Sequence, residues 1–207
     1  TSDPYELYLA NTLLPLHLCS RMTPGQRFIH ASTDCVFSGG AGAYPVSARP
    51  DADDVYGLSK QLGEQVANNP RSCVIRVSII GPEATGGFGL MGWLLQQHGT
   101  VRGYTDHLWN GITTLEWSKI CTNIIQNDLP EENIVQPGVW PPVSKYELLA
   151  LIANTWDHPV EIVPVATGSV VNRTLEPTLL RPPLELQLKE LHEWYQRPHS
   201  GAAPASG

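Results

Sequence analysis

The stretch FIHASTDCVFSGGAGAYPVSARPDADDVYGLSK, residues 28–60, decides how the rest of the chain is read. It joins an apolar run ending in Ser32-Thr33-Asp34, a loop rich in glycine and proline, and a Tyr-x-x-x-Lys spacing made by Tyr56 and Lys60. The β-branched and aromatic residues between Arg27 and Val36 predict a buried strand, which Gly39, Gly40 and Gly42 end. Asp53 or Asp54 is placed to cap a helix running to about Asn68. Tyr56 and Lys60 then share one helical face, and their side chains converge on one small object.

These residue types suit proton transfer. A free phenol titrates at about 10, and an ammonium one turn away is expected to favour the phenolate and draw that value towards neutrality. A strand-end hydroxyl such as Thr33 completes the set by hydrogen-bonding a carbonyl oxygen. Tyr and Lys at this spacing on a surface helix are a weak signal alone. The Ser-Thr-Asp strand end across the loop strengthens it.

Working outward, Asp3-Pro4 reads as a helix start, with Leu7, Leu14 and Leu18 as a buried stripe to about Ser20, and Pro15 is expected to kink or split that helix. Ser72 to Ile80 predicts a second, nearly continuous apolar strand of the parallel kind. Arg76 inside it needs a partner, because an unpaired buried charge is costly. Gly81-Pro82 ends the strand. Gly87 to Gly92 fits G-x-G-x-x-G, but a GPEAT loop precedes it and the helix after it is short, so no phosphate site is expected there. Val101 to Tyr104 reads as a strand, and Thr113 with Glu116 as a capping box for a helix to about Asn127. Trp109-Asn110-Gly111 offers an aromatic face and an amide suited to a sugar or a base, or a turn whose Trp packs into the core. Ile134 to Val139 is a further strand, Ser144 and Glu147 a second capping box, Val160 to Val165 another strand, and Pro182 to Tyr195 ends in a helix. His199 to Gly207 reads as a flexible tail. Alternating strands and helices give an α/β fold with a parallel sheet.

Composition narrows the function. The 207 residues are 42% hydrophobic and 16% charged, enough for a globular domain with a sizeable core. A net charge of -7 argues against nucleic-acid or anionic-membrane partners. No apolar run is long enough to span a membrane, and TSDPYELY lacks the basic flank and apolar centre of a signal peptide. Cys19, Cys35, Cys73 and Cys121 have no zinc or redox spacing and fit a reducing cytoplasm, so no metal is expected. Without a secretory signal, the acceptor-like Asn172-Arg173-Thr174 is read as chance.

The segments STDCVFSG (32–39), VYGLSK (55–60), Gly63-Glu64, VIRVSIIGPE (74–83) and GYTDHLWNGITTLEWSK (103–119) resemble the extended short-chain dehydrogenase/reductases, and among them the dTDP-4-dehydrorhamnose reductase branch. The resemblance covers most of residues 3–165. It implies the second half of a Rossmann-type parallel sheet in residues 1–82. Residues 83–198 would be mainly a small substrate domain with interleaved Rossmann elements, and the glycine motif would fall in the loop entering it. The implied reaction is reduction of a 4-keto group on a nucleotide-activated deoxysugar by NADPH or NADH. Thr33, Tyr56 and Lys60 would be catalytic. Ala31, Tyr56, Lys60, Gly81 and Pro82 would bind cofactor, and Thr33, Asp34, Ile79, Trp109 and Asn110 would bind substrate. Asn11 is implied to be structural, bonding across to the sheet.

Dehydratases of this kind follow the strand-end Thr with Asp-Glu, whereas Asp34 here precedes Cys35. That favours a reductase, with an epimerase or a non-catalytic nucleotide-sugar-binding subunit as rivals. The chain starts, by resemblance, at a helix before the fifth strand, without the usual dinucleotide fingerprint. It is therefore expected to be part of a longer reductase, or to be completed by another chain or a homo-oligomer, and to bind NAD(P)H negligibly by itself.

Overall fold

The computed structural model describes residues 3–83 and 89–197. The Gly87–Gly92 motif lies partly, and the 199–207 tail wholly, outside the described residues.

Asp3 accepts from the Tyr5 N–H at 3.0 Å and opens α1 (Pro4–Tyr8). A π-helical turn, Leu9–Leu13, follows before α2 (Leu14–Ser20). Pro15 has no N–H to return to the Asn11 carbonyl, and it occupies the first turn of α2, where the lack is harmless. The helix is thus interrupted by a π turn, whose extra residue rotates everything downstream. The buried positions are Thr12, Pro15 and Cys19, while Leu14 and Leu18 of the expected stripe stay 51% and 48% exposed.

The strand β1 (Phe28–Ser32) stops earlier than expected, because the Thr33 hydroxyl accepts from the Cys35 N–H at 3.1 Å and starts a 3-10 turn, Asp34–Val36. In the loop beyond, Phe37 and Tyr44 stack with centroids 4.1 Å apart. Asp54, not Asp53, caps α3 (Val55–Gly63), accepting from the Gly57 N–H at 2.8 Å, and a 3-10 turn (Glu64–Asn68) continues it. All five residues of β2 (Ser72–Arg76) are buried. The expected strand to Ile80 breaks at Val77-Ser78, and its remainder, β3 (Ile79–Ile80), pairs elsewhere.

After α4 (Leu90–Leu94) come β4 (Gly99–Tyr104), β5 (His107–Trp109), β6 (Ile112–Thr113) and α5 (Thr114–Gln126). Thr113 caps α5, yet the capping box is only half made. Gln187 takes the Thr113 N–H, and the buried Glu116 carboxylate goes to Arg181 and Lys119. Next are β7 (Ile134–Val135), β8 (Pro137–Gly138), β9 (Val143–Ser144), α6 (Lys145–Thr155) with a complete Ser144/Glu147 box, and β10 (Val160–Val165). Finally come β11 (Val171–Asn172), β12 (Leu179–Leu180) and α7 (Leu184–Gln196).

The main sheet has the order β1-β2-β7 and is parallel throughout, in register from Phe28 opposite Ser72 to Ser32 opposite Arg76. The side chains of β2 alternate, as a two-residue period requires. Cys73 and Ile75 meet Ile120 and Ile124 of α5 on one face, and Val74 meets Cys19 and Val66 on the other. Helices on both faces of a parallel sheet make an α/β layer. A second core gathers Trp109, Met91, Leu148, Ile152, Leu188 and Leu191 beside the pair β4-β10.

Arg76 is 2% exposed and finds the partner that its burial demands. Its Nε and Nη2 reach Glu64 Oε1 and Oε2 at 3.0 and 2.7 Å, and Nη1 reaches Gln136 Oε1 at 2.9 Å. Ser32 Oγ donates to Glu64 Oε1 at 2.6 Å, and the guanidinium lies 5.1 Å from the Phe37 ring centre. Removing one partner strands the other charge in the interior. Glu64→Gln is therefore expected to cost about 3–5 kcal/mol, read as a lowered urea midpoint, with the double change Glu64→Leu/Arg76→Met closer to wild type. Equal losses in single and double variants would refute the pairing as the cause.

The buried His30 Nε2 has no hydrogen-bond partner among the described residues. Burial first, and the Lys60 charge second, lower its pKa from 6.5 to about 4. The folded chain prefers the neutral ring, so stability should fall as pH drops from about 6.5 to about 4, by up to about 1.4 kcal/mol per unit. His30→Leu should flatten that slope in urea titrations across the same range, and an unchanged slope would assign it to other groups.

Candidate active site

The tip of β1 is where α3 delivers its side chains. The Thr33 hydroxyl lies against Asp34 Oδ1 at 3.1 Å and is also the hydrogen-bonding neighbour of the Tyr56 phenol. The Lys60 ammonium donates to the Ala31 carbonyl at 3.2 Å. Thr33, Asp34, Ala31, Tyr56 and Lys60 are thus brought together, as the spacing on one helical face requires.

Two glycines let α3 come this close. A Cβ on Gly57 would stand 2.3 Å from the Cys35 carbonyl oxygen, and one on Gly63 2.0 Å from that of Asn11. The π turn fastens the other side of the helix: Asn11 Nδ2 donates to Ser59 Oγ at 3.0 Å, and Thr12 Oγ1 to the Ser59 carbonyl at 2.7 Å. Asn11 therefore holds the Tyr/Lys helix and not the sheet.

The expected lowering of the phenol by Lys60 is not found. Burial raises the Tyr56 pKa above its ordinary value, the Thr33 hydrogen bond works against the rise, and the nearby Asp34 and Asp54 carboxylates add to it. With 39% of Tyr56 exposed, this is the desolvation of a half-enclosed group. Lys60 turns its ammonium to a backbone carbonyl, and its own pKa is lowered by burial. The phenol stays protonated at neutral pH, ready to give a proton. Burial also raises Asp34, against hydrogen bonds from Thr33 and Cys35 and the charges of Lys145 and Arg173. Cys35 is raised by burial and by Asp34, so it remains a thiol.

Ile79, Gly81 and Pro82 line a cavity of about 300 Å³ with Ser78, Glu83, Trp109 and Lys145. Trp109 is 3% exposed, and its indole N–H donates to Ser78 Oγ at 2.8 Å, so the ring is a core residue with an edge on the cavity. Asn110 spends both ends of its amide on the Leu175 backbone, at 2.8 and 3.1 Å, which ties the turn to the C-terminal segment. Its place is in the scaffold beside the site.

Two residues of this region escaped the sequence. Lys145 opens α6 directly after the Ser144 cap, with Nζ 5.7 Å from the centre of the Trp109 ring. A cation at a helix N-terminus opposes the helix dipole, and that was the available signal. Arg173 donates from Nε to the Phe37 carbonyl at 2.9 Å and lies 3.9 Å from Cys35 Sγ, a contact between residues 138 apart that no local pattern announces. Among the described residues, no group of His, Cys, Asp and Glu is placed to hold a metal, and no helix is long and apolar enough to cross a membrane.

The family model of the RmlD substrate binding domain matches residues 4–182. A search of curated protein sequences finds no match. Among solved structures, the dTDP-4-dehydrorhamnose reductase of Bacillus anthracis str. Ames in complex with NADP superposes with a TM-score of 0.77 at 18% identity, over 93% of this chain and 73% of that one. The UDP-glucose 4-epimerase of Thermotoga maritima with UDP-glucose gives 0.71 at 17%, over 94% and 72%. The dTDP-glucose 4,6-dehydratase of Bacillus anthracis str. Ames in complex with NAD gives 0.68 at 14%, over 95% and 70%. At these identities the likeness is one of fold, a mixed α/β architecture of the Rossmann kind. The match over residues 4–182 goes further: this chain belongs to the RmlD substrate binding domain family.

Proposed function

We propose that this chain carries the proton-delivering side of an NAD(P)H-dependent reductase of 4-keto sugar nucleotides. The observation that carries the reading is the protonated Tyr56 phenol hydrogen-bonded to Thr33 at the tip of a parallel strand, with Lys60 anchored beside it. Family membership supports an oxidoreductase of sugar nucleotides, and the NADP, NAD and UDP-glucose held by the similar structures support those ligand classes. In this reading residues 1–82 form the later half of a dinucleotide-binding domain, and residues 83–198 mainly the substrate domain.

The residues present fit such a cofactor: the Lys60 ammonium has donors beyond the one given to Ala31, and the Gly81-Pro82 turn borders an open cavity. Lys60, Ala31, Gly81 and Pro82 would hold the nicotinamide-ribose end. When bound, reduced nicotinamide supplies hydride to the carbonyl carbon. Tyr56 gives its proton to the carbonyl oxygen, and Thr33 polarises that oxygen by donating to it. On this reading the Lys60 charge, one turn away, offsets the negative charge that proton transfer leaves on Tyr56. Asp34 and Ile79 bound the substrate side, with Trp109 at its floor.

Cys35, a protonated thiol, offers no second carboxylate for elimination of water. A phenol held protonated also suits donation better than the proton abstraction with which an epimerase begins. A complete Thr33-Tyr56-Lys60 set argues against a purely binding subunit.

Tyr56→Phe should lower turnover of a dTDP-4-keto-6-deoxyhexose with NADPH or NADH by roughly 10²–10⁴-fold, with a much smaller change in KM. Turnover near that of wild type would assign the proton to another group. Lys60→Met should reduce both turnover and cofactor affinity. If calorimetry found the affinity unchanged while turnover fell, Lys60 would serve the phenolate alone.

A further inference from the structure

The outer face of the N-terminal helices has a regularity that the core does not explain. Tyr5, Leu9, Leu13, Leu14 and Leu18 are 39% to 65% exposed. The π turn brings them into line: the Leu14 N–H bonds to the Leu9 carbonyl, five residues back, so Leu14 stands one turn above Leu9. Tyr5 lies four residues before Leu9, and Leu18 four after Leu14, the spacing that stacks side chains on one helical face. An uninterrupted α-helix would swing Leu14 and Leu18 about 100° out of that line. The extra residue that takes these two leucines out of the core thus assembles a stripe on the surface.

The stripe is apolar and self-complementary. From Leu7 to Ser20 the chain has no Asp, Glu, Lys or Arg, although 16% of its residues are charged. Charge is depleted in this way at the centre of protein interfaces. The helix α3 packs against α1 and the π turn and adds the exposed Val55, Leu58 and Leu62 beside the stripe. Contiguous apolar surface of this kind marks a contact site. Asp3 and Glu6 stand at one end and Arg21 at the other, all exposed. Glu6 and Arg21 are symmetric about the Leu13–Leu14 bond, and so are Leu9 and Leu18. A second copy laid antiparallel therefore puts Glu6 opposite Arg21 and Leu9 opposite Leu18, twice over, with Leu13 and Leu14 against their own counterparts. The partner that matches this pattern in both charge and shape is the chain itself.

We propose that this face pairs two copies of the chain about a two-fold axis through Leu13 and Leu14, with the π turn setting the register. Each copy offers the other the same surface, so the assembly closes at two. The inference is independent of the sugar-nucleotide reading.

The test is sedimentation equilibrium of the 207-residue chain across the micromolar range, for wild type, Leu14→Glu, Val170→Glu, Glu6→Lys, Arg21→Glu and the last two combined. Wild type should be a dimer in reversible exchange with monomer. Leu14→Glu brings two carboxylates together at the axis and should raise the dissociation constant by about 100-fold, the scale of a central interface residue. Val170→Glu, at an exposed residue between β10 and β11, should leave it unchanged. Glu6→Lys and Arg21→Glu should each weaken pairing by roughly 2- to 10-fold at low salt, and the combination should restore it. Should Leu14→Glu not fold by circular dichroism, Leu18→Glu makes the same comparison. A wild type that is monomeric at every concentration, or that forms an open series of larger assemblies, overturns the proposal. So does a dimer that survives Leu14→Glu, which would place the contact elsewhere, such as the open edge of β1. Single charge swaps whose combination restores nothing overturn the antiparallel register.

Discussion

The ion pair of Arg76 and Glu64, closed off from water, is the constraint on which the rest of the structure depends. Two charges taken out of solvent are tolerated only when geometry is good and every remaining hydrogen-bonding position is used. Here Glu64 also receives Ser32, and Arg76 also holds Gln136, whose amide N–H groups go on to the carbonyls of Tyr44 and Glu176 at 2.9 Å. One buried network thus joins β1, β2, the end of α3, the loop after β1 and the C-terminal segment. Ser32 immediately precedes Thr33, so the strand end that presents the candidate proton relay is fixed from below by this pair.

The site inherits its electrostatics from the same enclosure. Lys145 and Arg173 act on Asp34, and Lys60 is held at the Ala31 carbonyl nearby, in a chain whose net charge is -7. Enclosure weakens each charge, holding the phenol and the thiol protonated and lowering the pKa of Lys60 and Lys145. The result is a pocket of donors, which accords with a ligand rich in oxygen atoms. A carbonyl that becomes a hydroxyl needs proton donation at the oxygen, and a set of donors meets that need.

How much could be read beforehand depended on how local the cause was. The Tyr56/Lys60 spacing, the Ser144/Glu147 box and the demand of Arg76 for a partner rest on short-range rules, and each leaves a mark in a few residues of sequence. The π turn left a weaker mark: Pro15 announced an interruption, but the one-residue phase shift that exposes Leu14 and Leu18 follows from packing against α3. Thr113 and Glu116 read as a box until Arg181 and Gln187, from the far end of the chain, claimed the same groups. Asn110 offered a free amide only until Leu175 folded onto it. Lys145 and Arg173 enter the site from residues more than 100 positions beyond Asp34, a distance over which no spacing rule applies.

Gly57 and Gly63 give the arrangement an unusual kind of fragility. Neither carries a chemical group, yet a single methyl at either position would meet backbone, at 2.3 Å or 2.0 Å. At Gly57 such a methyl would push α3 off the turn after β1, and at Gly63 off the π turn that fastens it, leaving Tyr56 and Lys60 correctly spaced from each other but displaced from their place beside Thr33. The chain could then retain every reactive side chain and still have lost the alignment that unites them. Among descendants of such a sequence, an inventory of catalytic residues would count as competent a protein whose clearance between helix and strand had already closed.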